Sequence, residues 1–218
     1  MTNRKILIIG AGGSGREIFS LIEDINKVTP GLWDIQGFAS IDKPNLEVLE
    51  RLNAKYLGKP QDLKKNISNL SNWHFVVGIG NPSDRRQMEA VGKSHGLKLA
   101  TLIHPNAQIG SDVEIQGGSV ICANVVLTTN IRIGKSVQVN IGCIIAHDVV
   151  IGDYVTLAQS VNLTGNVTIK SNSVLYTKST VIPNILIEEN AIVGAGSLVI
   201  NDVQKNTKVA GVPAKALA

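Results

Sequence analysis

Aromatic side chains make up only 4% of the 218 residues, although 44% are hydrophobic. A core with so few rings must be built from Ile, Val, Leu and Ala. Together with plentiful Gly and Asn, this favours a repetitive β architecture over an irregular globular core. Cysteine is scarce as well: Cys122 and Cys143 stand far apart, without CxxC spacing. They read as buried free thiols in a reducing cytoplasm, and no metal site is expected. Charge is thin, at 17% of residues with a net +4. That is too weak to argue for nucleic acid, but it suits an anionic small molecule. Long apolar runs are missing too. The first, Ile6 to Ile9, stops at Gly10, too short for a signal peptide or a membrane span, so no membrane insertion is expected.

Two stretches with different patterns are present. Residues 1–103 read as α/β. Lys5 to Ile9 is a buried strand, followed by the turn Gly10-Ala11-Gly12-Gly13-Ser14-Gly15 and a helix from about Arg16 to Lys27. Further strands are expected at Trp33 to Phe38 and Phe75 to Gly80, with helices at Leu46 to Asn53 and Ser83 to His95. Such alternation implies a small Rossmann-like parallel sheet, with the glycine turn at the carboxyl end of its first strand. At His104-Pro105 the pattern changes.

From Ile109 to Val199 an aliphatic residue recurs every six positions, sixteen times without a slip. Four residues after each comes a second small or aliphatic position, from Val113 to Val203. Three residues after each comes Asn, Asp or Gly in twelve of the sixteen cases, the types that tolerate a left-handed corner. Short strands joined by tight corners, with one inward side chain per strand, cannot bury a face alone, so they must stack as a solenoid. Three hexapeptides make one triangular coil, residues eighteen apart stack, and sixteen repeats make about five coils. Residues 104–218 are therefore expected to be an all-β solenoid domain.

Those repeats resemble the hexapeptide-repeat left-handed β-helix acyltransferases, from which the left hand is inferred. The whole chain resembles the bacterial acetyltransferases of nucleotide-linked amino sugars and the related sialic-acid O-acetyltransferase-like proteins. The matching stretches are Ile9 to Gly15, His104-Pro105, Asn140 to Asp153, Gly194 to Ser197 and Gly211 to Lys215. The resemblance implies transfer of an acetyl group from acetyl-CoA to the amine of a nucleotide-linked amino sugar, for surface-glycan or glycoprotein biosynthesis, by a cytoplasmic homotrimer. It implies catalytic His147, as general base, with Asp148 orienting it; Asp148 also occupies a corner position, where a simple turn role would explain it. Sugar-nucleotide binding is implied for Gly12, Gly13, Ser14, Ser40, Asp42, Gly58 and Asn140, and acetyl-CoA binding for Thr156, Gly165, Thr177 and Ala195.

The chain departs from the family's usual residues at Ser14, at Ser40 and Ile41, at Thr156, and at Gln159-Ser160. Gly10-x-Gly12-x-x-Gly15 also has the form of a dinucleotide fingerprint, but the acid expected at the end of the second strand is matched only by a late Asp42. An NAD-dependent oxidoreductase, an O-acetyltransferase and a non-catalytic β-helix scaffold are the competing readings.

Overall fold

The computed structural model describes residues 3–217. The described residues divide into two compact units, 3–80 with 84–101, and 81–83 with 102–217.

The first unit is an all-parallel four-stranded sheet. In chain order its elements are β1 (Arg4–Ile9), α1 (Gly13–Val28), β2 (Trp33–Ala39), α2 (Leu46–Arg51), α3 (Leu63–Asn66), β3 (His74–Val77), α4 (Pro82–Ser94) and β4 (Lys98–Leu99). The strand order is β2-β1-β3-β4. β1 is central, so Ile6, Leu7, Ile8 and Ile9 are buried on both faces. α1 turns Ile18, Phe19, Leu21, Ile22 and Ile25 inward, and Phe19 stacks on Phe38 with ring centroids 5.6 Å apart. Glycine is required at position 15 for a steric reason. A Cβ there would overlap the Gly10 carbonyl, so only glycine lets α1 approach the turn this closely. The helix begins at Gly13, three residues before the expected start, so Gly13 and Ser14 lie in its first turn. β4 was not visible in the sequence, because a two-residue strand has too little pattern to read.

The second unit is a left-handed parallel β-helix with three faces. The first face runs from Leu102–Ile103 through Gln138–Val139 and Thr156–Leu157 to Lys208–Gly211. The second includes Val126–Leu127, Ile144–Ile145 and Asn162–Leu163; the third includes Ile131–Ile133, Val150–Ile151 and Thr168–Ile169. Strands eighteen residues apart pair in register, as Ile144 does with Asn162 and Ile145 with Leu163. The core is one column of aliphatic side chains, including Leu127, Ile145, Leu157 and Leu163, all at most 1% exposed.

Three details differ from the expectation. The second register also points inward, for Val125, Val137, Val149, Val155, Val161 and Val167 are fully buried, so each repeat contributes two core side chains. There are about six coils, because Leu102–Ile103 already pairs with Val120–Ile121 and Lys208–Gly211 adds a last rung. That last coil is shorter: Ile192 pairs with Lys208 and Ile187 bridges to Val203, sixteen residues on. A hairpin with Ala214–Ala216, antiparallel, then ends the first face.

Among the described residues, no helix is long and apolar enough to cross a membrane, and no group of His, Cys, Asp or Glu could hold a metal ion.

Candidate functional sites

In the solenoid, Ala146 to Val149 form the corner between the second and third faces. His147 projects outward from it, its side chain 62% exposed. Asp148 holds the corner's left-handed conformation, with φ 62°, and its side chain turns back along the surface. His147 Nδ1 and Asp148 Oδ2 are 2.7 Å apart. An ionised carboxylate can only accept, so Nδ1 carries the proton and Nε2 presents a lone pair to solvent. The hydrogen bond from His147, and after it the one from Asn130, hold the Asp148 carboxyl below the usual carboxylate range. Asp148 thus stays ionised at neutral pH, and the imidazole keeps the tautomer with Nε2 bare. The turn role and the pairing coexist at Asp148.

Stacking explains the other two neighbours of this pair. Asn130, eighteen residues earlier, donates from Nδ2 to Asp148 Oδ1 at 2.5 Å. Sequence reasoning passed over it, because Asn recurs at corners for backbone reasons alone; the signal was the eighteen-residue step back from Asp148. Gly165, eighteen residues later than His147, lies under the imidazole. A Cβ there would lie 2.7 Å from Nε2 and overlap the ring. The space left by Gly165 is therefore taken by the histidine.

The remaining expected residues of this unit lie elsewhere on the prism. Asn140 stands at the corner between the first and second faces, donating from Nδ2 to the Leu157 carbonyl at 2.7 Å. Thr177 and Ala195 share that corner, two and three coils on, and Thr177 Oγ1 donates to Gln159 Oε1 at 3.2 Å. Thr156 is on the first face and buried. Within one chain, only Gly165 of the four expected cofactor residues meets His147. Apolar side chains flank the histidine, with Ile144 on the second face 48% exposed and Val150 on the third 45% exposed.

The first unit holds a cleft of about 440 Å³ at the carboxyl end of β1. Gly10, Ala11, Gly12 and Arg16 line one side; Ser40, Ile41, Asp42, Lys43 and Asn45 line another; Asp84, Gln87 and Met88 close it. Of the expected residues, Gly12, Ser40 and Asp42 are in the lining. Gly13 and Ser14 are next to it, in the first turn of α1, whose N-cap Gly12 supplies no side-chain cap. The backbone N–H groups there point to where an anion is favoured. Gly58 is behind the lining, accepting from the Ser40 N–H at 3.2 Å. The Ser40 hydroxyl donates to the Asp42 carbonyl at 2.6 Å, which shapes that wall.

With this geometry in view, two family models match the chain. The PglD N-terminal domain covers residues 5–90, and the bacterial transferase hexapeptide (six repeats) covers residues 130–165. Among solved structures, the acetyltransferase domain of PglB from Neisseria gonorrhoeae FA1090 is 26% identical, with a TM-score of 0.84 over 99% of this chain and 100% of that one. WeeI from Acinetobacter baumannii AYE is 28% identical, with a TM-score of 0.79 over 98% and 100%. PerB from Caulobacter crescentus, solved with CoA and GDP-perosamine, is 24% identical and has the same fold, with a TM-score of 0.85 over 98% and 97%. From its glycine turn to its solenoid corners, the chain is thus similar to these proteins, with a PglD-type N-terminal domain matched over residues 5–90 and a bacterial transferase hexapeptide over residues 130–165.

Proposed function

We propose that the protein transfers an acetyl group from acetyl-CoA to the amine of a nucleotide-linked amino sugar, with His147 as general base and Asp148 as its orienting partner. The observation that carries this is the His147–Asp148 hydrogen bond at an exposed corner, which leaves Nε2 free to take a proton. The acceptor nitrogen attacks the thioester carbonyl and a C–N bond forms as its proton passes to Nε2. The C–S bond then breaks, and the departing thiolate takes that proton to leave free CoA and an amide. The neighbours support the chemistry: a perosamine N-acetyltransferase with CoA and GDP-perosamine, and the PglB domain with acetyl coenzyme A.

In this reading acetyl-CoA runs along the solenoid between the corner of His147 and the corner of Thr177 and Ala195, while buried Thr156 backs the wall and Gly165 seats the imidazole. These residues are on different parts of one prism, so a single groove needs a second chain to supply its other wall. That argues for a homotrimer, and the exposed Ile144 and Val150 beside His147 give apolar surface for the contact. The sugar nucleotide occupies the cleft of the first unit, its diphosphate against the N–H groups of Gly12, Gly13 and Ser14, its remainder among Ser40, Asp42 and Gly58. Asn140 serves the acceptor from a neighbouring chain. A cytoplasmic enzyme acting before glycan export fits these substrates.

A thermal-shift panel of acetyl-CoA, NAD and several nucleotide-linked amino sugars tests the reading, because a ligand of the folded state raises its apparent stability. Stabilisation by acetyl-CoA and one sugar nucleotide is expected. Stabilisation by NAD alone would overturn it. His147→Ala should retain acetyl-CoA binding and lose roughly 10²–10⁴ in turnover. Light scattering should report three chains, and an active monomer would remove the trimer.

A further inference from the structure

We propose that Asn130 is a positioning residue for the His147–Asp148 pair, its side-chain amide holding the Asp148 carboxylate in the orientation that keeps the histidine proton on Nδ1. This deepens the reading of His147 as the base and rests on it.

The argument begins with what each Asp148 oxygen does. Oδ2 meets His147 Nδ1 at 2.7 Å, and Oδ1 accepts from Asn130 Nδ2 at 2.5 Å. A carboxylate on a half-exposed corner, its side chain 48% exposed, would otherwise rotate and share its oxygens with water. Occupying Oδ1 with a fixed donor removes that freedom and leaves Oδ2 to the imidazole. The donor is fixed because the solenoid fixes it. Asn130 sits one coil before Asp148 at the same corner, its N–H bonded to Ser111 O at 3.3 Å, and Asp148 N–H is bonded to Thr129 O at 3.2 Å. Both residues are in the left-handed region, at φ 52° and 62°, and both side chains are short, so little rotamer entropy is lost in joining them.

Asn130 also serves the corner backbone, as other asparagines do. Asn166 donates to Asn184 Oδ1 at 2.7 Å and Asn190 to Asn206 Oδ1 at 2.9 Å, making the same ladder without a histidine on the acceptor. At Asn130 alone among these three donors is the acceptor a carboxylate whose other oxygen holds an imidazole. The ladder at Asn190 is therefore a matched control. Glycine adopts a left-handed corner without strain, so Asn130→Gly removes the amide while keeping the backbone.

The test is nitrogen-15 NMR of the imidazole, recorded on the alkaline plateau of its own chemical-shift titration. Of the four histidines, His147 is identified by the signal lost in His147→Ala. The wild-type ring should show Nδ1 protonated and Nε2 bare. Asn130→Gly should move it toward a mixture of tautomers, and Asn190→Gly should leave it unchanged. An unchanged spectrum in Asn130→Gly, or the same change in Asn190→Gly, overturns the proposal. In the acetyl-CoA thiol-release assay, with GDP-perosamine and other nucleotide-linked amino sugars as acceptors, Asn130→Gly should lower kcat roughly tenfold. Its KM for acetyl-CoA should stay the same, and in an Asp148→Asn background it should cost nothing further. A full rate in His147→Ala would remove the base reading and leave the tautomer result standing. A full rate in Asn130→Gly with a shifted tautomer would likewise count against the base, while an unshifted tautomer with an inactive His147→Ala removes only the clamp.

Discussion

The imidazole of His147 is held from two sides, by a carboxylate at Nδ1 and by the bare backbone of Gly165 beneath the ring. Gly165 has an ordinary backbone conformation, absent from the residues with positive φ, so its substitution is a question of space alone. Gly165→Ala would push the ring off its seat, and a displacement of about 1 Å at a catalytic group can cost on the order of 10²-fold. We expect kcat to fall by roughly 10–100-fold. The melting temperature should barely move, because the displaced ring is exposed and carries no core packing. Steady-state kinetics beside a melting curve will check this, and an alanine variant with full turnover would show that the ring's seat is irrelevant to the rate.

At the scale of one coil, the economy of the solenoid lies in its corners. Left-handed backbone costs an ordinary L-residue about 1–2 kcal/mol, and Asn and Gly avoid most of it. Ser136, Tyr154, Ser160 and Lys178 take the same left-handed φ as the Asn corners although their types do not favour it; stacking on both sides imposes it. Lys178, at φ 59° and exposed, is the simplest to relieve. Lys178→Asn should stabilise the fold by about 1 kcal/mol, raising the melting temperature by roughly 2–4 °C; no rise would mean that the corner carries no strain. The interior of the same coils makes a pH-dependent prediction. Cys143 is fully buried, donates from Sγ to the Ala158 carbonyl at 3.0 Å, and burial pushes its thiol up to about 11. Its pKa is higher in the fold than in the unfolded chain. The contribution is therefore complete below about pH 9 and is lost as the pH rises to about 11, where the unfolded chain has already shed the proton. The size is on the order of 2 kcal/mol. Cys143→Ala should flatten that part of the alkaline denaturation curve, and an identical slope in both proteins would count against the shift.

For the whole molecule, the two units carry different halves of the proposed reaction, and a substitution in one should spare the other's ligand. Gly13 is the position to use. A Cβ there meets nothing within 4 Å, and it lies in the first turn of α1, where an acidic side chain suits the helix dipole. Gly13→Asp should therefore fold normally while setting a negative charge where a diphosphate is proposed to lie. Sugar-nucleotide binding should weaken at least tenfold, about 1.4 kcal/mol, with acetyl-CoA binding unchanged, both read by calorimetry. Weaker acetyl-CoA binding with intact sugar-nucleotide binding would reverse the assignment of the two ligands.

A period of six with an aliphatic key and a tolerant corner leaves a chain few alternatives to a stacked coil, so the solenoid was legible from Ile109 onward. Its ends were not. Leu102–Ile103 is a rung only because Val120–Ile121 lies beside it, and the sixteen-residue last coil breaks the period that made the others readable. Around the histidine, the family resemblance supplied the role of Asp148, whereas Asn130 and the true role of Gly165 depend on which side chains the stacking brings within 3 Å. The sequence alone determined the period, the corner residues and the glycine turn, since each follows from the backbone conformations that particular residue types allow. The same period put Gly165 on the column of His147 and Thr177 with Ala195 on another. Only the tertiary structure decided which side chains at the histidine's corner come within hydrogen-bond reach and that the imidazole fills the space at Gly165, because side-chain directions around the prism axis exist only once the coils have closed.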